Sequence, residues 1–244
     1  TKATFAGFYT ATTGKCNLQS DSTLGQVVFA GGGLFNGGEL FVQSSGDWSV
    51  ISNKVTMPGY CGIESGGLFI RVRDGGTLDL KGSTSQHLFV SVGGAGTVEV
   101  GAGGTLNMGN LMLTGAINGG NGTVLLNGGT INADSSAAVQ FGNAADCRST
   151  FQLNGGTLNI SKPIVQNLST GVVSFAGGTL KVNAALASGI VPTTSPIVVN
   201  AAGGTVDIGV REMSLGSSGI SGSGLLRVIG GTLHFNSNAS SWTG

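Results

Sequence analysis

The stretch Asn121–Ala133 reads NGTVLLNGGTINA. Val124 and Leu126 alternate with other residues before a double glycine, and Ile131 and Ala133 alternate after it. Alternation of period two on each side predicts two short strands, each with one buried face. Gly128 and Gly129 make the corner between them, because glycine reaches positive φ without strain. The wording returns in STFQLNGGTLNIS, GVVSFAGGTLKVN and SGLLRVIGGTLHFN. Units of Gly-Gly-Thr begin at Gly75, Gly103, Gly128, Gly155, Gly177, Gly203 and Gly230, with spacings of 28, 25, 27, 22, 26 and 27 residues. Looser copies, VVFAGGGLF, FNGGELFVQ and ESGGLFIRV, stand earlier.

A period near 26 cannot bury its apolar faces unit by unit, so the units must stack and share one core. This predicts an all-β chain, a single-stranded parallel β-helix of about nine coils. Residues 1–25 form a cap or irregular lead-in, and residues 26–244 form the repeats. The inward positions after the corner are Leu78/Leu80, Leu106/Met108, Ile131/Ala133, Leu158/Ile160, Leu180/Val182, Val206/Ile208 and Leu233/Phe235. Those before it include Val124/Leu126, Phe151/Leu153, Val173/Phe175 and Leu226/Val228. A weaker third strand follows at Leu111-x-Leu113, Val139-x-Phe141 and Met213-x-Leu215. A β-propeller needs blades of ~40–50 residues, and the leucine-rich-repeat consensus is missing.

Units such as GAGTVEVGAGGTLNM, GNGTVLLNGGTINA and GSGLLRVIGGTLHFNSNASSWTG resemble autotransporter-associated β-strand repeats over roughly residues 66–244. The resemblance implies a right-handed parallel β-helix, secretion, and a role in adhesion or surface structure. It implies no catalytic residues.

Composition narrows the function. Charged residues make up 9% of the chain, and eleven basic residues cancel eleven acidic ones, so the basic footprint of a nucleic-acid binder is missing. Hydrophobic residues at 40% and a mean hydropathy of +0.28 argue against disorder. No apolar run approaches the ~18 residues of a membrane-spanning helix, so no membrane insertion is expected. The chain starts at Thr1 without a signal-like segment and stops at Gly244 in a polar loop, which we read as a piece of a longer secreted precursor. Cys16, Cys61 and Cys147 are too few and too scattered for a disulfide framework or a zinc site. The alternatives are a Cys16–Cys61 pair outside the cell, or buried or free thiols.

Parallel β-helices also include polysaccharide lyases and glycosidases, which gather acids with a base or calcium over adjacent coils. The outward column two residues after each Thr reads Asp79, Asn107, Asn132, Asn159, Lys181, Asp207 and His234. Asp79 and Asp207 are then five coils apart, roughly 24 Å, too far to act together. The densest charged group is Asp134, Asp146 and Arg148, for which a solvated loop is the stronger reading. GGAGTV and GGNGTV have the glycines of a calcium β-roll, but Val98 and Val124 replace its Asp. No helix with Lys-Ser/Thr follows them, so they are not phosphate loops. His87 and His234 fall on different coils and do not form a metal site.

Thr77, Thr105, Thr130, Thr157, Thr179, Thr205 and Thr232 form a column that suits a pleated, half-exposed face. The neighbouring asparagines are expected to form an amide ladder. Asn-x-Ser/Thr triplets at Asn121, Asn159, Asn167 and Asn238 are attributed to chance. Aligning FIRVRDGG with VEVGAGG predicts an ion pair between Arg71 and Glu99 on adjacent coils. Trp48, Tyr60 and Trp242 are the rings to test for sugar stacking. The leading expectation is a non-enzymatic stalk, adhesin or surface segment, with no catalytic, cofactor or metal site. Its expected partners are other copies of itself through open ends, or a carbohydrate or host surface. The alternatives are a carbohydrate-active β-helix enzyme and a carbohydrate-binding module.

Overall fold

A strand with one apolar face hides it only against another element, and in this chain that element is the next turn. The computed structural model describes residues 2–7, 9–11, 14–20, 26–31, 33–35, 38–44, 47–57, 61–63, 68–81, 87–114, 119–134, 138–168, 170–216, 218–236 and 240–244. Every strand pairing among them is parallel, with each strand lying on its equivalent one turn away. The chain is an all-β parallel β-solenoid of about seven turns, and no helix occurs among the described residues.

The turns have three faces. A 19-stranded sheet bends at the corners to cover the first and second, and a seven-stranded sheet forms the third. Within residues 1–25, expected as a cap or irregular lead-in, the strands Lys2–Phe5, Tyr9–Ala11 and Gly14–Ser20 lie in register with Gln26–Phe29, Gly33–Phe35 and Gly38–Ser44. The repeat period predicts about nine coils, whereas the seven-stranded sheet of the third face ends at Ile164–Gln166. That face then continues through single bonds, Ile164 N to Ile190 O at 2.9 Å and Ile190 N to Ser214 O at 2.9 Å. Pro192 follows Val191 and has no N–H with which to extend a ladder.

The core is one column of apolar side chains, aliphatic and aromatic. Leu78, Leu106, Ile131, Leu158, Leu180 and Val206 stack in register on the second face, each at most 1% exposed. Val124, Phe151 and Val173 stack likewise on the first. On the third face Val139, Phe141, Met213 and Leu215 point inward as expected. On Leu111–Thr114 the buried residues are Met112 and Thr114, and the side chains of Leu111 and Leu113 lie outside the described residues.

The two glycines of a corner serve different needs. Gly103 has a φ of 70°, inside a turn closed by Gly104 N bonding to Gly101 O at 2.9 Å. Gly104 is needed for space, since a Cβ there would stand 2.1 Å from the carbonyl oxygen of Val72 in the preceding turn. The sequence anticipates only the first need. In Asn121–Ala133 and Arg148–Ile160 the strand runs through the corner unbroken, with a register shift in place of a separate turn.

The last repeat departs from the column. Thr205 lies opposite Arg227, whereas Thr232 lies opposite Glu212, and Gly230 faces Gly209 rather than Gly203. The same Gly-Gly-Thr wording therefore sits at the corner between the second and third faces. Gly222 and Gly224 take over the corner between the first and second, where a Cβ would meet the carbonyls of Val199 and Asn200. The consequence corrects three expectations. Thr232 leaves the Thr column, Ile229 instead of His234 follows Asp207, and Phe235 is 42% exposed rather than inward.

Candidate functional site

Polar chemistry in this molecule lies in columns along the outside. On the second face, half-buried Thr77, Thr105, Thr130, Thr157, Thr179 and Thr205 stack directly. Beside them the expected amide ladder is present. Asn132 Nδ2 donates to Asn107 Oδ1 at 2.8 Å, and Asn159 Nδ2 donates to Asn132 Oδ1 at 2.8 Å. The column is flanked by Asp79, which pairs with Lys54, and by Lys181 opposite Asp207. Asp79 and Asp207 are five register steps apart, as expected.

A second column runs along the first face. Arg71 and Glu99 are register partners, and Arg71 Nε reaches Glu99 Oε2 at 2.8 Å. Asn127 Nδ2 donates to Glu99 Oε1 at 2.8 Å, and Asn154 Nδ2 donates to Asn127 Oδ1 at 2.9 Å. The Arg71 guanidinium carbon lies 4.0 Å from the centroid of Phe69. Sequence alignment of corners anticipates the ion pair, but not its extension through Asn127 and Asn154. Those two asparagines stand directly before their glycine pairs, and that shared position was the available signal.

Burial raises the Glu99 carboxyl, but hydrogen bonds from Asn127 and Arg71 and the charges of Arg71 and Arg73 outweigh it, leaving its pKa below the ordinary value. A depressed carboxylate stabilises the fold above the unfolded pKa, and that stability is lost as pH falls through the folded one. Acid melts of the wild type should therefore lose a small increment, under ~1 kcal/mol, below about pH 4.3. The Glu99→Gln chain should lose none of that increment. An identical acid slope in both chains would remove Glu99 from the account.

Of the charged group Asp134, Asp146 and Arg148, Asp134 stands apart from Arg148. Arg148 is the register partner of Asn121, at the start of its bent strand, whereas Asp134 follows the far end of that strand. Asp134 instead faces Lys81 at 3.5 Å. No ion pair joins Asp134, Asp146 and Arg148 among the described residues. No cluster of three His, Cys, Asp or Glu side chains occurs among the described residues. His87 is half-buried beside Phe89, and burial lowers its pKa. His234 Nε2 lies 2.8 Å from Glu212 Oε1 on an exposed strand. No helix among the described residues is long and apolar enough to cross a membrane.

The sugar-stacking rings fare differently. Trp48 is 1% exposed in the core, edge-on to Phe29 at 5.6 Å, and offers no face to a ligand. Trp242 is half-buried at one end of the solenoid, and Tyr60 and Asn238 lie outside the described residues. A shallow cavity of about 320 Å³ opens between 163–166 and 188–194. Gln166 Oε1 fills its polar need by accepting from Thr194 at 3.0 Å and Ser195 at 2.8 Å, and no charged side chain lines it.

No protein-family model, curated protein or solved structure matches this chain.

Cysteine geometry is equally decisive. Cys16 lies opposite Leu40, and Leu40 lies opposite Cys61. Two strand spacings, about 9.6 Å, exceed the ~7 Å Cα limit of a disulfide, so the Cys16–Cys61 pair is ruled out. Cys61 and Cys147 are buried free thiols, and burial pushes Cys61 up to about 12. Both should resist alkylation by iodoacetamide in the folded chain and react once it is denatured. Mass-spectrometric labelling of Cys61 under native conditions would contradict this.

Proposed function

We propose that this chain is a non-enzymatic extracellular β-helix, a rod segment of a larger secreted or surface protein that serves as a stalk, adhesin or self-assembling element. The supporting observation is that its outward polar side chains bond to polar side chains on adjacent turns. In Arg71–Glu99–Asn127–Asn154 and Asn107–Asn132–Asn159 these bonds run along the rod. Acids and bases engaged in this way stiffen the rod and do not converge on a substrate. The same proposal includes right-handed winding, about nine coils, and kinship with autotransporter passenger repeats. It assigns no catalytic residue, cofactor or metal.

The test is incubation of the chain with a panel of acidic and neutral polysaccharides, read as new reducing ends or unsaturated uronates. No turnover is expected. Turnover that disappears on replacing Asp134, Asp146 or Arg148 would make this a carbohydrate-active enzyme. Glycan-array binding without turnover would support the adhesin form of the proposal.

A further inference from the structure

The ladder of the third face is interrupted at one residue in the middle of the rod. Asn167 N donates to Phe141 O of the preceding turn at 3.1 Å, so alternation directs the backbone groups of Ile164 and Gln166 toward the following turn. Ile164 N meets Ile190 O there at 2.9 Å. A parallel ladder would continue with the N–H of residue 192 on Ile164 O, and with Gln166 N on the carbonyl of residue 192. Residue 192 is proline and has no N–H. Its carbonyl instead accepts from Ser195 N at 3.0 Å. Ile164 O and Gln166 N are therefore left without a protein partner among the described residues.

Both residues line the cavity of about 320 Å³ between 163–166 and 188–194. That volume lies at the lower end of the ~300–1,000 Å³ of small-molecule sites. The bonds that Gln166 Oε1 accepts do nothing for these backbone groups, and Gln166 Nε2 has no acceptor among the described residues. Val165, 38% exposed, and the two prolines supply apolar surface beside them. The exposed residues Ser188, Thr193 and Thr194 add hydroxyls to the lining.

The gap selects its occupant. It calls for one donor and one acceptor side by side and facing the same way, as the N–H and C=O of a single strand residue are. It is also only one residue long. Ile190 closes one end through its bond to Ile164 N. Thr194 and Ser195 close the other, donating to Gln166 Oε1 at 3.0 Å and 2.8 Å. A peptide strand running along the edge has no room between them. Adjacent hydroxyls of a pyranose ring offer the same pair: one O–H donates to Ile164 O, and the next oxygen accepts from Gln166 N. The C–H face of the ring then lies against Val165 and the prolines. No charged side chain lines the cavity, which suits a neutral ligand, since a carboxylate would lose water there without gaining a counter-charge.

We propose that this cavity binds a neutral hexopyranose unit of a glycan through the backbone groups that Pro192 leaves unpaired. The inference rests on the adhesin form of the proposed function and names its ligand.

The test is amide-resolved NMR of the isotope-labelled 244-residue chain during titration with methyl glucoside, methyl galactoside and methyl mannoside. At least one of them should bind and shift the Gln166 backbone amide. The matching uronides should bind no more tightly. Pro192→Ala supplies an N–H opposite Ile164 O, and Val165→Arg crowds the mouth of the cavity. Each should weaken binding about tenfold while leaving the far-ultraviolet dichroism spectrum unchanged. A Gln166 amide that none of the neutral glycosides moves would overturn the proposal. So would tighter binding of a uronide or of the blocked peptide acetyl-Ala-Ala-Ala-amide, or an affinity unchanged in both variants. Each of these failures leaves the non-enzymatic rod standing, because only polysaccharide turnover defeats that reading.

Discussion

Gly104→Ala is expected to destabilise the chain by about 4 kcal/mol or more, beyond the ~1–3 kcal/mol of ordinary overpacking. Its Cβ would lie 2.1 Å from the Val72 carbonyl oxygen and 2.6 Å from the carbon, both backbone atoms that cannot rotate away. Relief requires the two turns to separate, which breaks the ladder they share. Gly128→Ala is the control. There the nearest atom is 3.6 Å away, and the cost is that of a left-handed φ of 96°, about 1–2 kcal/mol. Denaturant melts of both variants check the difference. Equal losses would mean that the two turns relax around the added Cβ and that Gly104 is not needed for space.

Leu158→Ala should cost about 2–5 kcal/mol through the cavity it leaves. Leu158 is 1% exposed and stacks between Ile131 and Leu180, so the turns above and below cannot collapse into the gap without losing register. Thr157→Ala, one residue away on the outward side, should cost well under ~1 kcal/mol. The pair of melts reads the inward/outward alternation directly, and similar midpoints would refute it. Because each turn contacts only its neighbours, the Leu158→Ala loss should also weaken the middle of the rod before its ends.

The columns show which parts of the site were legible. Arg71–Glu99 and the Asn107–Asn132–Asn159 ladder follow from aligning one corner with the next, because the pairs lie a fixed distance from their glycines. Asn127 and Asn154 were missed because they sit at the corner itself. There the backbone shifts register, and Asn127 lies opposite Gly101 and Gly155 rather than another polar residue. The link from Asn127 to Glu99 crosses that shift, and strand alternation carries no information about it.

By itself the sequence determined what is local: the period-two alternation, the corners marked by glycine, and hence which of Leu158 and Thr157 is buried. A strand side chain points to one side or the other whatever lies beyond it. Tertiary structure decided everything that depends on the turn below. It placed Leu40 between Cys16 and Cys61, closed Trp48 into the core, and required Gly104 to lack a Cβ. It also moved the last Gly-Gly-Thr to a different corner, opposite Gly209. The physical reason is that a corner's place is set by the residues needed to close the turn against its neighbour. Gly230-Gly231-Thr232 reads the same wherever it falls, and only stacking on residues 204–214 tells which corner it makes.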